Sequence, residues 1–149
     1  MGLQQLSDSL FFFVENFNTS SVLTVTNTAT GTNNSADLSV TSHRGVRVFA
    51  NFTTIGATCT ARLNIQAKDA VSGLYITIAS LSLDGITTGN INSLNVMNIY
   101  PGIGTANGTN VTNFSDSLSR TIRCQVSITC TASAGGAANT YTIGLSKLV

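Results

Sequence analysis

Charged side chains are scarce in this chain of 149 residues: they make up 9% of it, as seven Lys and Arg against six Asp and Glu. About 25% is usual in globular proteins. A net charge of +1 attracts phosphate groups and anionic lipids only weakly, so neither nucleic acid nor a membrane is expected as a partner. Hydrophobic residues still reach 42%, which excludes a disordered chain and predicts a folded domain with an uncharged polar surface.

Long apolar runs are missing as well. The longest run, residues 10–14, has five residues, whereas a membrane-spanning helix needs roughly 18. The first ten residues contain no Lys or Arg and do contain Asp8, unlike a secretory signal, which begins with positive charge. The sequence therefore predicts a protein that is made in a cytoplasm and kept there until it joins an assembly.

Cysteine is also rare, and the three present are an odd number: Cys59, Cys124 and Cys130. Cys124 and Cys130 lie on one predicted strand, about 20 Å apart at ~3.3 Å per residue, which is too far to bridge. A bridge from Cys59 to either one is geometrically open, but a reducing compartment argues against it. We therefore expect all three as small buried thiols.

Alternation of apolar and polar residues is the strongest pattern present, and it recurs between clusters of Gly, Asn and Ser. It predicts strands over residues 46–53, 58–68, 74–78, 121–131 and 141–145, with weaker candidates at 22–26, 37–41 and 92–99. No apolar stripe has a helical period. The predicted inward residues include Cys59, Ala61, Leu63, Ile65, Ala67, Leu74, Ile76, Ile78, Ile122, Cys124, Val126, Ile128, Cys130, Tyr141, Ile143 and Leu145. The fold class is all-β: an antiparallel two-sheet sandwich of about eight strands, jelly-roll or immunoglobulin-like, with an N-terminal arm.

Residues 1–35 differ from the remainder because apolar side chains there are consecutive instead of alternating. Phe11, Phe12, Phe13 and Phe17 would cover both faces of such a segment. It is either a capping strand of the domain's own core or an arm that packs on a neighbouring subunit. We predict an arm and linker over residues 1–35 and a β-sandwich domain over 36–149.

Catalytic and metal-binding patterns are absent from the sequence. His43 is the only histidine, and the six acidic residues are scattered singly along the chain. Neither a cluster of metal ligands nor a nucleophile beside a base can be located. We therefore expect no enzyme, no cofactor and no metal.

Three arginines are predicted to point outward from strands: Arg47, Arg62 and Arg123. Without a set of interleaved aromatic residues they indicate nucleic-acid binding only weakly. The planar guanidinium suits hydrogen bonding to carboxylates or carbonyls of a protein partner. These arginines, together with Phe11, Phe12, Phe13 and Phe17, are our candidate partner-binding residues.

Several segments resemble small structural proteins of tailed bacteriophages. The first is Ile-Gln-Ala-Lys-Asp-Ala-Val-Ser-Gly-Leu-Tyr at 65–75, where the family has Gly, Pro and Lys at the positions of Ala67, Ala70 and Leu74. The others are Tyr-Pro-Gly at 100–102, Leu-Ser-Arg-Thr-Ile-Arg at 118–123 and Tyr-Thr-Ile-Gly at 141–144. Ser119 and Ile122 stand where the family has Pro and Trp, and the resemblance covers about residues 44–149.

This resemblance implies a virion structural protein, and more narrowly a capsid decoration or cement protein that binds the outer capsid surface and stabilises the shell. The implied partners are the major capsid protein and further copies of the chain, as a homotrimer. The implied location is the capsid surface, after synthesis in the host cytoplasm. The alternative is a tail component or receptor-binding module that contacts the host surface through the Asn-, Gly- and Thr-rich loop between residues 100 and 114.

Overall fold

The computed structural model describes residues 20–27, 30–55, 59–82, 89–104, 110–130 and 139–149, and these contain ten strands and no helix. The all-β prediction is confirmed. In chain order the strands are β1 (Ser20–Asn27), β2 (Gly31–Asn34), β3 (Leu38–Ser39), β4 (Gly45–Ile55), β5 (Cys59–Lys68), β6 (Tyr75–Ser82), β7 (Gly89–Ile99), β8 (Val111–Phe114), β9 (Thr121–Cys130) and β10 (Asn139–Leu148).

Two sheets form the sandwich. Sheet A has the order β1-β10-β4-β7-β8, and sheet B has the order β2-β9-β5-β6, with β3 also paired to β9. If β3 is taken as a continuation of β2 and β8 as an added edge strand, eight strands remain, and their order is that of a jelly roll. Of the two predicted topologies, the jelly roll is therefore the one observed.

One strand pair departs from the predicted antiparallel pattern. β7 and β8 are parallel, with Val96 opposite Val111 and Ile99 opposite Phe114. A parallel neighbour requires the chain to run back before it pairs, and residues 100–110 provide that connection. Alternation within each strand could not reveal this, because it is the same for parallel and antiparallel neighbours.

The core lies between the sheets and is formed by the predicted inward residues of β5, β9 and β10. On these strands the predicted residues from Ala61 to Ala67, Ile122 to Ile128 and Tyr141 to Leu145 are all buried. β4 contributes Phe52, whose ring stacks on that of Tyr141 with centroids 5.1 Å apart. Full burial of a large apolar side chain contributes about 1.5–3 kcal/mol, so this interior holds the two sheets together.

The predicted burial fails at strand β6 and at Leu74 just before it. Leu74 and Ile76, expected inside, are 71% and 67% exposed. Ile76 lies opposite buried Ala67, but β6 is the edge strand of sheet B, and among the described residues no further strand pairs with its outer edge. The register also shifts beyond Gln66, so that Ala79 takes the buried position opposite Ile65.

The sheets already include residues that were predicted as arm and linker. β1 pairs with β10, and β2 pairs with β9, so residues 20–27 and 31–34 belong to the sandwich. Residue 35 is therefore not the point at which the sheets begin. Phe11, Phe12, Phe13 and Phe17 lie outside the described residues, and the choice between an arm and a capping strand stays open with them.

The expectation of three free thiols is wrong. Cys59 and Cys130 lie directly opposite each other on β5 and β9 and form a disulfide. Sequence spacing correctly separates Cys124 from Cys130 but cannot supply the register that places Cys59 beside Cys130. Cys124 is free and buried as predicted, and its desolvation raises the thiol pKa to about 12.

Candidate interaction surface

The three predicted arginines do not form one surface. Arg62 and Arg123 lie on the outward face of sheet B, whereas Arg47 lies on the outward face of sheet A. The outward faces of a sandwich point in opposite directions. A single partner surface can therefore include at most two of the three.

Arg123 is engaged within its own chain. Its guanidinium carbon lies 3.6 Å from the centroid of the Tyr75 ring, and its Nε donates a 2.8 Å hydrogen bond to Oε1 of Gln66. A cation over an aromatic face contributes about 0.5–1 kcal/mol at exposed sites. These contacts hold Arg123 against β5 and β6, so its first role is to tie three strands of sheet B together.

Tyr75 also joins an exposed polar cluster with Asp37 and Lys68. Lys68 Nζ lies 2.7 Å from Asp37 Oδ2, and the Tyr75 hydroxyl donates to Asp37 Oδ1. The hydrogen bond from Lys68, and then that from Tyr75, hold the pKa of Asp37 below its ordinary value. The hydrogen bond to Asp37 raises the pKa of Lys68. The cluster connects the segment before β3 to the end of β5 and the start of β6.

Arg47 belongs to a network on the other sheet. Its Nε donates a 2.8 Å hydrogen bond to Oδ1 of Asn98, and Asn98 Nδ2 donates a 2.9 Å bond to Oδ1 of Asn113. Asn113 Nδ2 in turn donates to the carbonyl of Gly104 at 2.7 Å. The network links β4, β7 and β8 and anchors the parallel strand.

Amide side chains cover the outward face of sheet B and mostly bind one another. Gln125 Oε1 accepts from Asn64 Nδ2 at 3.1 Å, and Gln125 Nε2 donates to Asn34 Oδ1 at 3.0 Å. Arg62 is exposed on this face and makes no ion pair with any residue that the structure describes. Of the three predicted arginines, Arg62 is the one best placed for a partner.

The turn between β5 and β6 presents apolar side chains to solvent. Val71 is 96% exposed, more than any other large hydrophobic residue of the described chain, and Leu74 follows at 71%. The Asp69 carboxylate accepts hydrogen bonds from the Val71 amide and from the amide and hydroxyl of Ser72. Gly73 adopts a φ of 72°, a backbone conformation that glycine accepts without steric cost. Residues 69–74, hereafter the hairpin tip, are thus held in one shape.

An open cleft of about 440 Å³ lies against the hairpin tip, whose Asp69 and Ala70 form part of its lining. One wall comes from the ends of β5 and β6, and the other from the segment leading into β9. The lining residues are Ala67, Lys68, Asp69, Ala70, Ile76, Ser119, Arg120 and Thr121. The sequence did not predict this cleft, because its two walls are about 50 residues apart along the chain and meet only through the pairing of Ala67 with Ile122.

Metal-ligating side chains do not cluster in the described part of the chain. No group of three or more His, Cys, Asp or Glu residues there could hold a metal ion. His43 donates from Nδ1 to the Thr41 carbonyl at 3.0 Å, a local turn contact. Among the described residues no helix is long and apolar enough to cross a membrane.

Comparison with known proteins yields structural matches alone. No family model and no curated protein matches the chain. Two matched structures are of infectious bursal disease virus, the Gt strain with a TM-score of 0.47 and the Gx strain with 0.32, both at 8% identity. They align with 88% and 87% of this chain but only 31% and 30% of theirs, so this chain spans about a third of their length. Similarity at this level assigns no function.

Proposed function

We propose that this protein is a virion structural protein without enzymatic activity, and specifically a capsid decoration or cement protein of a tailed bacteriophage. One observation carries the proposal. The two longest segments that resemble the phage family, residues 65–75 and 118–123, are far apart in sequence yet meet in space, with Gln66 opposite Arg123 and Ala67 opposite Ile122. Two segments that both resemble the same family and lie side by side in the fold can form one binding surface.

The physical character of the surface supports this role. The outward face of sheet B carries hydrogen-bonded amides and hydroxyls, and the net charge of the chain is only +1, so little electrostatic repulsion opposes close packing on a shell. A protein that binds only the assembled capsid stabilises the shell by mass action. The major capsid protein is the proposed partner, with the chain acting as a homotrimer on the capsid surface.

The decisive experiment uses capsids assembled from the major capsid protein of the same genome. Purified chain should co-sediment with these shells at a fixed ratio and raise the temperature at which they disassemble. Arg62→Glu should weaken binding about fivefold, corresponding to one exposed charge contact of about 1 kcal/mol. Lys147→Glu, the same charge change on sheet A, is the matched control and should bind like the unmodified chain.

Two results would count against the cement role. The cement role is refuted if the chain does not co-sediment with capsids at micromolar concentration, or if it binds them without changing their stability. Adsorption of the chain to host cells without any binding to capsids would instead favour the tail or receptor-binding alternative.

A further inference from the structure

We propose that the hairpin tip of one copy of this chain inserts into the cleft of a second copy, so that the chains associate head to tail. This inference deepens the proposed function, because it identifies the surface through which the proposed homotrimer would form. It rests on three observations: an apolar projection, a cleft against it, and two opposite charges in the cleft lining, Asp69 and Arg120, that form no ion pair within the described residues.

The projection is rigid and apolar. Val71 and Leu74 are more exposed than any other large hydrophobic residues that the structure describes, and they stand on a turn fixed by the Asp69 carboxylate. A rigid turn loses little conformational entropy when it docks, so its apolar side chains contribute more to binding than those of a mobile loop. Exposed apolar side chains at the edge of a sheet usually mark a contact surface.

The cleft has the chemistry to receive these side chains. Ala67, Ala70 and Ile76 give it apolar walls, and its volume of about 440 Å³ is open to solvent. The hairpin tip does not fill its own cleft, since Val71 and Leu74 remain exposed. A second copy of the chain carries the matching tip.

Charge complementarity favours a second copy over another partner. Three charged residues line the cleft: Lys68, which pairs with Asp37, and Asp69 and Arg120, neither of which forms an ion pair within the described residues. Hydrogen bonds from Ser72, and then from Val71, lower the pKa of Asp69, so the carboxylate carries its charge at neutral pH. When the tip of one copy enters the cleft of the next, Asp69 of the incoming tip approaches Arg120 of the receiving copy.

The symmetry of the contact follows from its two unlike halves. A tip that docks in a cleft is a heterologous contact, and repeated heterologous contacts close into a ring when the rotation between copies permits it. Tip and cleft adjoin at one end of sheet B and share Asp69 and Ala70, so the axis of such a ring would have to pass close to the hairpin. A stable interface buries about 800 Å² per partner, so the tip forms its apolar centre and flanking polar residues form the rim.

The first test measures the solution mass of the whole chain and two variants by light scattering at about 100 µM, where a weak interface of this kind is populated. The unmodified chain should exceed its monomer mass of 15.5 kDa. Leu74→Asp and Arg120→Glu should each raise the dissociation constant at least about tenfold, by placing a charge in the apolar cleft and by opposing Asp69. Leu94→Asp, the same change at a leucine 48% exposed on sheet A, is the matched control.

Mixing the two variants tests the head-to-tail arrangement itself. Leu74→Asp retains a working cleft and Arg120→Glu retains a working tip, so one intact contact can form between them but no ring can close. The mixture should show a species of twice the monomer mass, although each variant alone is monomeric. Thermal unfolding of every variant checks that the fold is retained.

Several outcomes would overturn the inference: a monomeric unmodified chain at this concentration, unimpaired association of Leu74→Asp, loss of association in Leu94→Asp alone, or no heterodimer in the mixture. Co-sedimentation with capsids separates this result from the proposed function. A monomeric chain that still binds capsids would refute the tip-in-cleft contact and leave the cement role standing, whereas an oligomer that ignores capsids would do the reverse.

Discussion

Reduction of the Cys59–Cys130 disulfide should destabilise the sandwich substantially. The two cysteines are 71 residues apart in sequence, and a cross-link that closes a loop of this size lowers the entropy of the unfolded chain by an amount worth about 4 kcal/mol. For a domain of this length, 1 kcal/mol corresponds to roughly 3 °C in melting temperature. We therefore expect the melting temperature to fall by about 10 °C in reductant.

The assay is thermal unfolding followed by circular dichroism, with and without reductant. A double variant, Cys59→Ser with Cys130→Ser, should melt at the temperature of the reduced protein and should be unaffected by reductant. This insensitivity is the internal control, since it separates loss of the disulfide from any other action of the reductant. Thiol counting supplies a second readout: the native protein should expose no reactive thiol, and the denatured unreduced protein should expose Cys124 alone.

Three free thiols in the folded, air-oxidised protein would refute the pairing outright. A melting temperature that changes by less than about 2 °C on reduction would refute the loop-entropy estimate. The pairing also bears on the compartment, because structural disulfides rarely persist in a reducing cytoplasm. A protein made in the host cytoplasm should therefore hold two reduced cysteines there and close the bridge after release.

Two further predictions concern the end of the sandwich where β4 begins and the cluster at Asp37. Gly45→Ala should destabilise the fold by about 1–3 kcal/mol in chemical denaturation, because the added Cβ would lie 2.5 Å from the carbonyl oxygen of Ile99, a backbone atom with little room to move. Unchanged stability would show that the strands can separate there. The contribution of Asp37 to the stability of the fold should be present above its ordinary pKa of 3.8 and disappear as the pH falls through its lowered folded value, since the folded state favours the ionised form bound to Lys68 and Tyr75. The melting temperature of Asp37→Asn should therefore lie below that of the unmodified chain at pH 6 and converge with it in acid, and a difference that persists at pH 2 would contradict this assignment.

The strands were predictable because their signal is local. Alternation in β5 and β9 reflects a sheet with one buried face, and the period of two assigns each side chain to core or solvent without knowledge of its neighbours. Burial of Leu63, Val126 and Ile143 follows from that pattern. The same reasoning failed for Ile76, because a side chain on the core-facing side of an edge strand can remain exposed to solvent, as Ile76 does at 67%.

The candidate site was less predictable because its parts depend on pairing between distant segments. The outward direction of Arg62 could be read from its own strand, but its separation from Arg47 onto the opposite sheet could not. The cleft between the hairpin tip and Arg120 exists only because β5 pairs with β9. Exposure of Val71 likewise depends on where the turn between β5 and β6 projects from the folded sheet.

The sequence by itself determined that this chain is a β-sandwich with a weakly charged polar surface, since composition and period-two patterning are properties of each segment alone. Tertiary structure decided the jelly-roll order, the parallel β7–β8 pair, the Cys59–Cys130 bridge and the cleft beside the hairpin tip. Each of these depends on which strands become neighbours and in which register. That choice arises from the packing of the whole core, and no single segment carries it.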